Sequence, residues 1–449
     1  MQLASLLIAV VLGVALPAQE LADRLDALCQ PLIDAQIAVG FVVGVIDGDD
    51  ELVRGYGLLE RGAADVPSGG TLYEIGSISK VFTGLLLADA VSRGRCTLDD
   101  PLQDHLPDGV VAPTWDERPI LLRHLATHSS GLPRLPDMTG SDRADPYAHF
   151  DEARVLAALG ATELRRPPGT DYEYSNFGVG LLGLVLARIG GEESYEALLR
   201  KRVTGPLGMD DTVLSLNDEL AARLAPAHDV DLESAQPWDL AALAGAGGIR
   251  STVHDMLRFA RLQLAPGDAE LAAAVELSQH EHFTTERGVK LGLGWHFARD
   301  GITLCHSGQT GGYHAWLGVV PSRGYAVCLL ANTATGSVDL AAERVLQHLF
   351  GMDVQPPDVQ PPMVLEPAEL QRLVGKYRMA VDVTFDISLR PRGLFAQLTG
   401  QRALRLYPRS ATEFAYRAVD ASITFEIAEG EVTALVLHQN GRDRRCERM

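Results

Sequence analysis

Hydrophobic and polar positions follow two different periods along this chain. Ala35 to Asp47 and Glu51 to Leu59 are rich in β-branched residues and flank Gly48-Asp49-Asp50, a pattern that predicts a hairpin. Ser79 to Val91 carries a dense apolar pattern of helical length that stops near Gly94. Gly301 to Ser307, His314 to Pro321 and Tyr325 to Ala331 then predict three short strands, separated by Gly or Pro and lying as antiparallel neighbours. Helical and strand-like segments thus mix from about Glu20 to Phe350.

That mixture breaks in residues 351–364, where GMDVQPPDVQPP holds four prolines and no period, the signature of a stiff linker. Beyond it the pattern is wholly β. Val383, Phe385, Ile387 and Leu389 alternate, as do Ile423, Phe425 and Ile427, with turns at Pro391-Arg392-Gly393 and Glu429-Gly430. Evenly spaced short strands over residues 365–449 predict a small meander or β-barrel. No nucleophile and base fall together there, so it reads as accessory.

At the other end, Leu3 to Leu16 is an uncharged run of 14 residues, followed by Pro17, Ala18 and the polar Gln19-Glu20. It is short for a bilayer span and predicts an export signal over residues 1–18, cut after Ala18 or Ala15, although no basic residue precedes it. The expected location is therefore periplasmic or secreted, with no transmembrane segment left after cleavage.

Charge narrows the partners. With 39 Lys plus Arg against 59 Asp plus Glu, the formal charge of −20 argues against nucleic acid or an anionic membrane as a ligand. Five cysteines without CxxC pairing read as small buried hydrophobes, with one disulfide left open for an exported protein. No glycine-rich nucleotide motif is present and no cofactor is expected. His124 and His128 are four apart, but no HExxH surrounds them, so no metal site is assigned.

Three short motifs can carry chemistry. In Ser77-Ile78-Ser79-Lys80, a helix running from Ser77 through Leu87 places the lysine one turn on, facing the serine. A serine needs a neighbour to take its proton, and an ordinary lysine with a pKa of about 10.4 is almost wholly charged at pH 7. Burial and nearby positive charge must therefore lower it, and the helix N-terminus supplies such charge. Alone, the motif is weak and more often describes an N-cap serine and a solvated lysine. Tyr174-Ser175-Asn176 sits on a loop before an apolar helical run, where the phenol can share a proton with Lys80 and the Asn176 amide can meet a substrate carbonyl and the lysine. In His306-Ser307-Gly308-Gln309, a strand runs into glycine, so a ligand can approach its backbone. The N–H of Gln309 can then pair with that of Ser77 as an oxyanion hole.

In this order and with these flanks the motifs resemble the serine β-lactamase and penicillin-binding protein superfamily. The nearest likeness is to class C β-lactamases, D-alanyl-D-alanine carboxypeptidases of similar build and related esterases. RHLATHSSGLP at Arg123 to Pro133, GPLGMDDT at Gly205 to Thr212 and GAGGIRSTVHDMLRF at Gly245 to Phe259 extend the resemblance over about Gln36 to Phe350. It implies an α+β fold for residues 19–350: an antiparallel sheet flanked by helices, with an all-helical subdomain and the site in the cleft between them. The trailing domain would be lipocalin-like.

The resemblance further implies Ser77 as the acylated nucleophile, and Lys80 and Tyr174 as the proton-transfer pair, without saying which is the base. Asn176 would orient the substrate amide, and His306 would act electrostatically near the leaving side. Many relatives carry Lys where this chain has His306, which weakens the case for a substrate carboxylate. Glu163-Leu164-Arg165-Arg166 does not fit the ExxLN segment of class A enzymes, so a tyrosine-containing mechanism fits better. The function expected is a serine hydrolase acting on a small-molecule or peptide amide or ester. A non-catalytic scaffold that holds a cell-wall or protein ligand is the alternative.

Overall fold

The computed structural model describes residues 18–361 and 363–449. Apart from Ala18, the expected export signal lies outside the described residues. Ala18–Asp34 is a helix that buries Leu21, Leu25, Leu28 and Leu32, the spacing of a single apolar face. Among the described residues no helix is long and apolar enough to cross a membrane.

That helix ends in a turn at Gln36, with φ 52°, so the first strand starts at Gly40 rather than at Ala35. Gly40–Asp47 and Asp50–Gly57 form the expected hairpin. They join an eight-stranded antiparallel sheet whose next members are Tyr325–Ala331, His314–Val320 and Leu304–Gln309, followed by three two-residue strands that end at Phe283–Thr284. Opposite ends of residues 19–350 thus meet in one sheet, with Val43 opposite Leu329. The three strands expected late in that region are indeed antiparallel neighbours, in the register that sets Ser307 opposite Trp316.

Alternation along each strand sorts side chains to two cores. Phe41, Val43, Val45, Trp316 and Leu329 pack with Leu25 and Leu28 of the first helix and Ala341 and Val345 of the Asp339–Leu349 helix. Val42, Ile46, Leu317 and Leu330 face the Val253–Leu264 helix. Gly44 lets that helix come close, since a Cβ there would stand 2.5 Å from Val253. The second core continues into the helical subdomain, where Phe82 of Ser79–Ser92 and Phe177 and Leu181 of Asn176–Gly190 are fully buried.

The proline-rich stretch is pinned to the first domain rather than spanning free space. Val354 is buried in the core beneath the first helix, Val359 packs beside it, and Arg24 donates to the Val354 carbonyl. A short helix, Pro367–Leu373, precedes the β region, which is therefore not wholly β. Nine strands then form a nearly closed antiparallel barrel, whose terminal strands Leu404–Arg405 and Tyr407–Pro408 are separated only by Leu406 in the chain. Phe385, Ile387, Ile423 and Phe425 fill it as their alternation requires. Ile427 does not: a register shift between Glu426 and Ile427 turns it to solvent. All five cysteines are free, and all but the half-buried Cys305 are buried.

A candidate active site between sheet and helices

Ser77 lies in one 3-10 turn, Gly76–Ile78, that runs into the Ser79–Ser92 helix. The helix therefore begins two residues later than its motif suggests. Ile78 occupies the N-cap without a side-chain bond, so Ser77 is not an N-cap serine. The turn still aims the two side chains at each other: Lys80 Nζ is 2.9 Å from Ser77 Oγ.

Lys80 is fully buried and donates to the Ala246 carbonyl at 2.6 Å. Burial, with the Arg134 charge second, holds its amine well below the usual lysine range. The partner of this lysine is thus a carbonyl of the Ala241–Ala246 turn, not the Asn176 amide. Its Nζ stands 4.8 Å from the centre of the Tyr174 ring. Burial raises the Tyr174 phenol, an effect partly offset by its interaction with the Ser77 hydroxyl. The two groups are pushed toward a neutral amine and a neutral phenol.

His128 holds Tyr174 in place. Its backbone has φ 57°, a conformation that a non-glycine residue adopts only under constraint. In that pose the His128 carbonyl accepts from Glu173 N at 2.8 Å and its Nδ1 accepts from Ser175 N at 3.0 Å. The imidazole packs against the Tyr174 ring with centroids 4.3 Å apart. Ser175 then caps the following helix by accepting from Gly178 N. Asn176, the first residue of that helix, donates to the Tyr147 hydroxyl at 3.3 Å and leaves its buried Oδ1 without a partner.

The third motif forms the opposite wall. Leu304–Gln309 is one strand that continues through Gly308, packed against the Ser77 turn. A Cβ on Gly308 would stand 1.9 Å from Ile75 O and 2.9 Å from Ser77 N, and one on Gly76 would stand 2.6 Å from Gln309 N. Only glycine at both positions brings these backbones so close. His306 is buried beside His296, with ring centroids 5.1 Å apart, and its Nδ1 lies 2.6 Å from Ser307 O. Its buried Nε2 has no partner. Burial, then His296 and Lys80, hold the imidazole well below its usual range. Burial thus favours the neutral form of His306, while Arg134, with its guanidinium 5.0 Å from the Tyr174 ring centre, brings positive charge to the cleft.

These groups line a cleft of about 760 Å³. Ser77, Tyr174, Asn176, His306, Ser307, Gly308 and Gln309 all reach it, and Lys80 lies beneath its floor. Arg134, Tyr147, Tyr172, Trp238 and His296 also line it and were not singled out by any motif, and Asp339 and Glu343 bring carboxylates to the same cleft. Tyr172 and Arg134 directly adjoin recognised segments, whereas Trp238 and His296 stand in stretches with no chemical pattern. The His124 and His128 rings take separate backbone partners, accepting from Leu121 N and Ser175 N respectively. Among the described residues no group of three or more His, Cys, Asp or Glu is placed to hold a metal ion.

An antiparallel sheet with helices on both faces, a helical subdomain and a serine–lysine pair in the cleft between them is the β-lactamase fold. The chain belongs to the Beta-lactamase family, whose model matches residues 25–351; residues 360–448 match a domain of unknown function, DUF3471. It is similar to the D-alanyl-D-alanine-carboxypeptidase/endopeptidase AmpH of Escherichia coli (strain K12), 29% identical over 320 residues, 67% of this chain and 81% of the relative. A β-lactamase of Pseudomonas fluorescens is 26% identical over 355 residues, 70% of this chain and 94% of the relative. Among solved structures, the β-lactamase/D-alanine carboxypeptidase of Yersinia pestis complexed with citrate superposes with a TM-score of 0.65 at 26% identity, covering 74% of this chain and 99% of that one. This company makes the protein one of the serine hydrolase type.

Proposed function

We propose that the protein hydrolyses an amide or ester through an acyl-enzyme on Ser77, as a β-lactamase or D-alanyl-D-alanine carboxypeptidase type enzyme. The observation that carries this reading is the 2.9 Å contact between Ser77 Oγ and a fully buried Lys80 that burial favours in its neutral form. With the amine neutral, its lone pair accepts the Ser77 proton while one N–H stays on Ala246 O. Ser77 Oγ then attacks the carbonyl carbon, and the oxyanion is met by the N–H groups of Ser77 and Gln309. Tyr174, held protonated by burial, passes a proton to the departing nitrogen or oxygen and recovers one from Lys80. Water entering the vacated side completes hydrolysis by the reverse proton path. A purely binding role would leave the buried lysine without purpose.

Asn176 and the His306 Nε2 offer hydrogen bonds to the acyl donor, and Arg134, which lines the cleft, offers positive charge to a donor carboxylate. The enzyme is read as exported, on the apolar run within residues 1–18. Steady hydrolysis of a penicillin, a D-alanyl-D-alanine peptide, a D-amino-acid amide or a short-chain ester that is lost in Ser77→Ala tests the proposal. Comparing kcat/KM over those four classes names the donor. Absence of turnover with all four contradicts it.

A further inference from the structure

The barrel reads as accessory, yet it holds the preceding domain at residues 231–233 and at the turn after the first helix. Tyr407 sits between two guanidiniums, Arg417 at 3.9 Å and Arg405 at 4.8 Å from its ring centre. Arg417 also donates to Gln36 O at 2.7 Å, which ties this corner of the barrel to the turn after the first helix. So held, the Tyr407 hydroxyl donates to Asp231 Oδ1 at 2.8 Å. A second contact joins Arg392 of the barrel to Glu233 at 3.4 Å.

Asp231 and Glu233 belong to a tightly wound segment. Asp229 Oδ1 accepts from the backbone of both, and Leu232 is buried at φ 63°. The segment then returns to the catalytic domain, with Ala235 N on Ala227 O. A few residues on, Trp238 N donates to the buried Glu74 carboxylate at 2.9 Å, and the Trp238 carbonyl accepts from Arg250 at 2.9 Å. Its indole forms a wall of the cleft, 5.6 Å from the Tyr147 ring, whose hydroxyl carries Asn176. Only four residues separate the 231–233 segment from this wall beside Asn176.

We propose that the C-terminal barrel positions the cleft wall: Tyr407 and Arg392 clamp residues 231–233 and so fix Trp238 against an elongated acyl donor. Both are positioning residues, and the inference rests on the proposed acyl-transfer reading of the cleft. A donor too short to reach Trp238 is indifferent to the clamp.

The test uses the full chain with Tyr407→Phe, which removes only a hydroxyl, and Arg392→Gln as an independent variant. Acylation is followed with a fluorescent penicillin bearing a bulky side chain and with p-nitrophenyl acetate, alongside hydrogen exchange of residues 229–238. Tyr407→Phe should weaken binding of the bulky penicillin about fivefold, the worth of one lost hydrogen bond, and Arg392→Gln, which removes a partly exposed ion pair, by up to about fivefold, with the limiting acylation rate and the acetate rate within about twofold of wild type. Exchange in 229–238 should quicken by at least about fivefold. In a Trp238→Leu background, Tyr407→Phe should add nothing to the binding defect. Unchanged exchange overturns the proposal, as do faster exchange with unchanged binding and equal losses with both probes. Should neither probe acylate wild type, the acyl-transfer reading falls, and the exchange measurement still decides whether the clamp holds the segment.

Discussion

Gly308→Ala probes the closest backbone approach in the site. The new Cβ would stand 1.9 Å from Ile75 O and 2.9 Å from Ser77 N, while real Cβ atoms stay beyond 3.0 Å. Both neighbours are backbone, so no change of rotamer relieves the clash, and the strand must draw back from the Ser77 turn by about 1 Å. A shift of that size in reacting groups costs on the order of 100-fold, and loss of one oxyanion donor costs about as much or more. The acylation rate constant at Ser77 should therefore fall about 100-fold, or about 2.7 kcal/mol in the barrier. Rapid mixing with a fluorescent penicillin reads the rate, and circular dichroism with thermal melting reports the fold. Gly160→Ala serves as control, because that glycine, like Gly308, lacks a positive φ and its Cβ would meet nothing nearer than 3.9 Å. A folded Gly308→Ala protein that acylates within about threefold of wild type would refute the reasoning that this contact sets the paired amides.

Two further outcomes follow from the buried titrating groups. Lys80→Met should lower acylation about 1000-fold, and the wild-type rate should climb with pH along a limb well below the usual lysine range, because only the neutral amine accepts the proton; a limb near pH 10.4 would contradict this. Burial, with Lys80 second, lowers His296 from 6.5 to about 4, so between those values the unfolded chain takes up a proton that the folded one refuses, and stability falls as pH falls. His296→Gln should remove up to about 1.4 kcal/mol per pH unit of that loss, read by urea unfolding at pH 7 and pH 5, and an unchanged pH slope would contradict it.

Much of this was legible because it depends on short-range pattern. The strands from Leu304 to Ala331 show in their alternation and glycine punctuation, and the Ser77–Lys80 contact follows from helical spacing whether the first turn is 3-10 or α. Ile427 escaped because a bulge changes the face of a side chain without changing the local sequence pattern. His128 escaped for a different reason: its role depends on a positive φ and on a ring that meets Tyr174 from 46 positions away in sequence, neither of which periodicity encodes. The same holds for Trp238, whose backbone bonds to Glu74 lie 164 positions away in sequence. The neutral state of His306 could not be read either, since composition counts the residue and only the fold buries it.

The central claim is a covalent one, and the mass of the intact protein reads it most directly. After brief incubation with a penicillin or an activated ester, the full-length protein should gain the mass of one acyl group, digestion should locate it on the peptide containing Ser77, and Ser77→Ala should show no gain. Wild-type protein that remains folded and gains no mass with either reagent, indistinguishable from Ser77→Ala, would contradict the account.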